Sequence, residues 1–311
     1  MRFVKHLYLG GYGPAIRTLS ETPAPLAEAA APASSFLALH PGLGVLYAVG
    51  EQEQGVLRAF TRDGARLSPL DERPTEGSHP CHLAVHPGGR VLAVANYGDG
   101  TVSLHHLAAD GRFTGDPIVL THRGRGPVAD RQEGSHAHQT VFHDDVLYVS
   151  DLGTDEIRRY TPAGESLDPV RLAPGTGPRH LFFAGGVCFL AGELDARVHA
   201  YDAATWELLG SVPASGHDGV NYPSHLEVAG DLVYVANRGP NTVSVFTRSL
   251  EPVAEVPAEG DWPRHFALDG DRIFVANQNS GTLAVLTLKD GIPASAGQSL
   301  AAEGVACVLI G

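Results

Sequence analysis

Short apolar runs alternate with Gly-, Asp- and Pro-rich breaks along the whole chain. His82-Leu83-Ala84-Val85-His86 gives way to Pro87-Gly88-Gly89, then to Val91-Leu92-Ala93-Val94-Ala95-Asn96, Gly98-Asp99-Gly100 and Thr101-Val102-Ser103-Leu104-His105. Apolar runs of this length, rich in Val and Leu and bounded by turn residues, read as β-strands joined by hairpins. Asp269-Gly270-Asp271 and Asn279-Ser280-Gly281 punctuate a later stretch in the same way. No window sustains the apolar period of a helical repeat, and the Ala-rich piece from Ala27 to Ala33 is short and bracketed by Pro25 and Pro32.

The scheme recurs at a fixed distance. Aligned on the residue after a Pro-x pair, the repeats place Phe36, His82, His138, His180, His225, His265 and Cys307 in register, separated by 46, 56, 42, 45, 40 and 42 residues on subtraction. A period of this size with about four short strands in each repeat predicts propeller blades. Seven aligned positions predict an all-β, seven-bladed β-propeller, read as one domain over residues 1–311. The last run, Val305 to Leu309, supplies only a first strand, and Leu7 to Tyr12 resembles the second strand of a blade without its first. The C-terminal strand is therefore expected to join the N-terminal strands and close the ring, which makes truncation at either end costly.

Two irregularities stand out against the period. The repeat before His138 carries a surplus of about ten residues in a charged stretch from His122 to Glu133, and an enlarged loop of this kind is more often functional than incidental. The aligned position is His in most repeats but Phe36 and Cys307 in two.

In a four-stranded meander, the start of the first strand and the end of the second lie on one side. Seven blades would gather these ends around one mouth: His82, His138, His180, His225 and His265, with Arg179, Arg238, Arg264, Glu193, Glu51, Tyr97 and Gln278. A concave mouth with convergent polar groups is the default ligand site. Repetition gives the histidines an architectural role as well, bonding each blade to its neighbour. Asn96, Asn237 and Asn277 suit the closing of turns. Arg179 and Arg264 occupy a slot filled elsewhere by small residues, and Arg238 follows Asn237. Three guanidiniums near one mouth fit an anionic ligand, or else ion pairs with Glu193, Glu51 or Glu133. Glu193 and His138 are the acid–base candidates.

Composition narrows the partners. The net charge of −13 and the lack of a long basic run argue against nucleic acid and anionic membranes. The start, Met1 to His6, has no long apolar core like that of a secretory leader, and no stretch is long and apolar enough to span a bilayer. Cys81, Cys188 and Cys307 are too scattered for a disulfide framework or a zinc ribbon. A cytoplasmic monomer is expected. The repeated histidines have no distinctive ligand spacing, so no metal is expected either.

These residues resemble one family, the seven-bladed propeller lactonases, which include propeller-type 6-phosphogluconolactonases and fungal carboxy-muconate cyclising enzymes. The resemblance spans the chain through Ser35 to Pro41, Pro80-Cys81-His82, Val94 to Gly98, Arg131 to His138, Gly177 to His180, Glu193-Leu194, Val235 to Gly239 and Val275 to Asn279. Gly192 and Gly50 stand where the family usually carries Asn before the acidic residue. The resemblance implies His138, Arg179 and Glu193 in the chemical roles, with no cofactor. It also implies hydrolysis of a sugar lactone or the near-reverse closure of a diacid. On this reading Arg179 polarises the lactone carbonyl, Glu193 or His138 takes a proton from water, and Arg131, Arg238 or Arg264 holds the substrate anion. His82, His180, His225, His265 and Tyr97 would line the substrate. A propeller that only binds a ligand or protein is the remaining alternative.

Overall fold

The structure, a computed structural model, describes residues 5–311; the Met1–Val4 part of the chain start lies outside the described residues. Every regular element described is a strand, and the 28 strands are numbered β1 to β28 in chain order. They form seven four-stranded sheets, the blades of a seven-bladed β-propeller, as the repeat predicts. Six of the sheets run in simple sequence order, from β4–β7 through to β24–β27. The seventh has the order β28-β1-β2-β3, so β28 (Val305–Ile310) completes the sheet that begins with β1 (His6–Gly11). His6 and Gly311 exchange backbone hydrogen bonds of 2.8 and 3.0 Å. This is the closure expected from the half-blades at the two ends.

The repeat positions fall on the first strand of each blade. Phe36 lies in β4 (Ser34–Leu39), His82 in β8 (Pro80–Val85), His138 in β12 (Ala137–His143) and His180 in β16 (Pro178–Ala184). His225 lies in β20 (Tyr222–Ala229), His265 in β24 (Pro263–Asp269) and Cys307 in β28. Alternation along the strands follows from burial, because each sheet packs its apolar positions against a neighbouring sheet.

The chain divides into two compact units, one running to Arg171 with Leu309–Gly311 added and the other Leu172–Val308. In the first, Tyr47, Val49 and Leu57 pack with Leu83, Leu92 and Val94 between two blades, and Ala95, Val102 and Leu104 pack with Leu147 and Val149 between the next two. In the second, Phe189, Val198 and Leu226 pack with Val235 and Phe246, while Tyr234, Val243 and Val245 pack with Phe266 and Val275. Each buried side chain of this size contributes on the order of 1.5–3 kcal/mol. The blades are thereby stiff enough to hold the polar ends of their strands in fixed positions.

Candidate active site

The first strands β4, β8, β12, β16, β20 and β24 each carry a β-bulge near the start. Pairing with the second strand slips by one residue between Ser34 and Phe36, Pro80 and His82, Ala137 and Gln139, Pro178 and His180, and Pro263 and His265. A bulge leaves one residue outside the ladder and re-aims its side chain, which is why bulges gather beside active sites. The extra residues here are Ser35, Cys81, His138, Arg179 and Arg264. This corrects the register read from the sequence. In the third blade the counterpart of His180 is Gln139, and His138 occupies the slot held by Arg179 in the next blade. His138 is thus not one of the architectural histidines.

In the second unit the bulge brings Arg179 to Glu193, the residue just beyond β17 (Val187–Gly192). Arg179 Nε lies 3.0 Å from Glu193 Oε2, and a nitrogen of the same guanidinium donates to the Ser224 carbonyl. Arg238, at the end of β21 (Leu232–Arg238), donates from its NH2 to the same Glu193 oxygen at 2.5 Å and from its Nε to the Tyr222 carbonyl at 3.0 Å. The side chains of Arg179 and Glu193 are only 2% and 3% exposed. The ion pairing offered by the sequence as one role for these arginines is therefore present. Two guanidiniums on one carboxylate carry a surplus positive charge, held rigid in a desolvated setting. Arg264 is half-buried and reaches Gln278 Oε1 at 3.4 Å.

No sequence pattern pointed to the aromatic pair beside these cations. Arg238 lies over the Trp262 ring at 5.4 Å, and Tyr222 is 6.1 Å from the same ring. Trp262 has φ of +66°, a left-handed conformation that costs a bulky residue energy and clusters at functional sites. Its amide donates to Asn241 Oδ1 at 2.9 Å, and its carbonyl accepts from Gln278 at 3.0 Å.

The repeated histidines of this unit bond blade to blade. His180 Nδ1 lies 2.8 Å from His225 Nδ1, and the His225 ring stacks on His265 at 4.0 Å. His265 Nδ1 accepts from the Val308 amide at 3.5 Å. His225 Nε2 lies 3.2 Å from Glu227 Oε1. Burial, assisted by the Arg179 charge, pushes His225 down to about 3. Burial also drives His265 well below the usual imidazole range, with His225, Arg179 and Arg264 adding to the effect. Burial pushes the Glu227 carboxyl up to about 8 against a smaller opposing hydrogen bond from the Leu268 backbone.

In the first unit, His138 lies edge-on to the Tyr97 ring at 5.5 Å, and its carbonyl accepts from the Cys81 thiol at 3.2 Å. Tyr97 stacks on His136 at 4.6 Å, and Arg131 NH2 donates to the Tyr97 hydroxyl at 3.4 Å. His136 is held between the Tyr97 carbonyl at 2.8 Å and Glu133 Oε1 at 3.0 Å. The enlarged loop thus supplies Arg131, Glu133 and His136 around one aromatic ring. Its course is fixed by Gln132, which donates to the Leu152 carbonyl and to Asp155 Oδ1, both at 2.8 Å, and by Ser135 and the His136 amide on the two Asp151 oxygens. His82 lies farther along its strand, 3.4 Å from Thr140 Oγ1, with its ring tilted against Phe36 at 4.0 Å. Glu51 accepts from the Tyr12 hydroxyl.

Gly50 and Gly192, which stand where other blades of this chain carry Asn96, Asn237 and Asn277, have a structural reason. Asn237 and Asn277 donate to the Ala214 and Ala258 carbonyls, each in the connection that enters its blade. At Gly50 that bond is made instead by Arg58, whose NH1 donates to the Pro32 carbonyl at 3.0 Å; a Cβ on Gly50 would lie 2.8 Å from that nitrogen. At Gly192 a Cβ would collide with Asp195 Oδ1 and lie 3.0 Å from His199 Nε2. Asp195 and His199, 2.9 Å apart, occupy the space. Among the described residues no group of three His, Cys, Asp or Glu side chains is arranged to hold a metal ion.

Comparison with known proteins shows what the chain as a whole is similar to. The model of the family described as Lactonase, 7-bladed beta-propeller matches residues 17–310. A protein of Formosa agariphila named 6-phosphogluconolactonase is 31% identical, the match covering 70% of this chain and 68% of that one. A Bacillus subtilis protein of the same name is 29% identical over 73% of this chain and 72% of its own. A crystal structure of a Lactobacillus plantarum protein superposes with a TM-score of 0.89 at 29% identity, covering 99% of both chains.

Proposed function

This chain belongs to the seven-bladed β-propeller lactonase family, and we propose that it is a 6-phosphogluconolactonase-like hydrolase that opens a phosphorylated sugar lactone to the corresponding acid. The observation that carries the reading is the pair of guanidiniums fixed on Glu193. The identity to two proteins named 6-phosphogluconolactonase supports the substrate class.

Water adding to a lactone carbonyl puts negative charge on the carbonyl oxygen. Pre-placed positive groups at that oxygen are usually the largest catalytic contribution. Arg179 and Arg238 have that charge and need no reorganisation, because Glu193 holds both. A carboxylate oxygen already shared by two guanidiniums is better suited to fixing those cations than to collecting a proton from water. The proton therefore goes to a histidine, and the family resemblance offers His138. Its place on a bulge equivalent to that of Arg179 supports a chemical role. Arg264 is the candidate for the substrate anion in the second unit, and Arg131 in the first. The reading carries with it the expected cytoplasmic location and monomeric state. The test is lactone turnover above a buffer blank, with phosphorylated and unphosphorylated sugar lactones and a muconate-type diacid side by side. Unchanged turnover in well-folded Arg179→Ala and Glu193→Gln would refute the assignment.

A further inference from the structure

Glu227, His225 and His180 form an unbroken chain. Glu227 Oε1 is 3.2 Å from His225 Nε2, and His225 Nδ1 is 2.8 Å from His180 Nδ1. Two imidazole nitrogens at this distance share one proton, so one ring must donate and the other accept. That fixes the polarity of everything joined to them. If the Glu227 carboxyl is protonated, it donates to His225 Nε2, His225 donates from Nδ1, and His180 bears its proton on Nε2. If Glu227 is ionised, His225 donates from Nε2 to the carboxylate, His180 donates from Nδ1, and His180 Nε2 carries no proton. Converting the first state to the second removes one proton from His180 Nε2 and moves two others one step along the chain. Neither ring becomes an imidazolium in either state.

We propose that Glu227 and His225 are positioning residues of a proton relay that presents an exchangeable proton at His180 Nε2, one residue beyond Arg179. The groups packed around the relay favour this neutral shuttle over a charged histidine. Arg179 on β16 opposes an imidazolium at His225, Arg179 and Arg264 oppose one at the stacked His265, and the carboxylate of Glu193 is held by two guanidiniums. Burial pushes His225 down to about 3 and Glu227 up to about 8, so the protonated-carboxyl state prevails at neutral pH. Lactone hydrolysis requires this kind of group, because the ring oxygen leaves as an alkoxide and must take up a proton. The relay donates one at His180, the deficit comes to rest on Glu227, and the donor state is restored when a proton re-enters at His180 Nε2 after the product leaves. This last step rests on the hydrolase reading, whereas the relay itself does not.

The two can be tested separately. The full-length protein labelled with 15N-histidine is titrated from about pH 5.5 to about pH 9, and two-bond proton–nitrogen correlations report the tautomer of each ring. His225 and His180 should stay neutral and exchange tautomers together with a midpoint near 8. Glu227→Gln should abolish that transition. An imidazolium at His225 anywhere in the range, or a transition that survives in Glu227→Gln, would overturn the relay. If the variant does not fold, the titration of the unsubstituted protein still decides. In the lactonase assay, kcat should fall above about pH 8 as the donor form is lost, and Glu227→Gln should lose that limb with kcat lowered roughly 10- to 100-fold. A pH limb unchanged in the variant would also overturn the proposal. Absence of all turnover would refute the hydrolase reading and leave the relay to the spectra.

Discussion

Glu193 Oε2 lies 2.5 Å from Arg238 NH2, joining residues 45 positions apart in sequence, while the same oxygen lies 3.0 Å from Arg179. Removing one member of such a buried group leaves unbalanced charge and costs about 3–5 kcal/mol. Glu193→Gln should therefore lower the urea midpoint substantially, and lactonase kcat should fall by about 100-fold or more through loosened guanidiniums. A variant of unchanged stability would show that the ion pairs contribute little.

Arg264 is half-buried, its contact with Gln278 is long at 3.4 Å, and it stands on a bulge. As a grip on the substrate anion it would act in the ground state and the transition state alike. Arg264→Ala should raise KM about 10- to 100-fold for a phosphorylated lactone, the worth of one charge-assisted hydrogen bond, with kcat nearly unchanged. The effect should shrink for the unphosphorylated analogue. Equal effects on both substrates would remove Arg264 from phosphate binding.

A Cβ on Gly153 would collide with the Gly134 carbonyl and come within 2.8 Å of the His136 amide nitrogen. These are backbone atoms and cannot rotate away. Gly153→Ala should thus displace the loop that places His136 on Tyr97, lowering stability by about 1–3 kcal/mol. The loss would register as a fall in melting temperature together with quicker proteolysis after Arg131.

Stability should depend on pH from both sides. Burial holds His105 down to about 3, with Arg73 and His106 adding, and His225 down to about 3. The unfolded chain protonates these histidines first, so their contribution is present above about pH 6.5 and is lost as pH falls from there toward 3. Glu227 has the opposite sign. Its folded value, about 8, is above the unfolded one, so its contribution is full below about pH 4.5 and is lost as pH rises through 8. Denaturant melts at several pH values should show Glu227→Gln gaining on the unsubstituted protein between about pH 5 and 8. A constant difference across that range would contradict the raised carboxyl value.

The fold was legible because blades repeat. A period of 40 to 50 residues, strand-sized apolar runs and two complementary half-blades leave few other architectures. The site was legible only in part, for reasons tied to particular residues. Arg179 and Glu193 interrupt the repeat and so could be found. The role of His138 was blurred because a bulge adds a residue to one strand only, and spacing along the chain cannot reveal which residue it is. Gln139, which takes the ladder position of His180, drew no notice on that account. Glu227 lies between Leu226 and Val228, where an acidic residue on an alternating strand reads as solvent-facing. Its contact with His225, two residues back on the same strand, is visible only in the structure. Trp262 gave no signal because positive φ on a bulky residue follows no sequence rule.

The completion of one blade by β28 and β1–β3 has a consequence for synthesis on the ribosome. The strands β1 to β3 emerge first, yet the edge of β1 has no partner until residues 305–310 have followed. Throughout translation that edge is an open template for another nascent chain. Slow elongation before the codons for residues 305–310, or crowding of ribosomes on the message, would extend the exposure. The yield of active protein would then depend on the pace of translation as well as on the stability of the finished molecule.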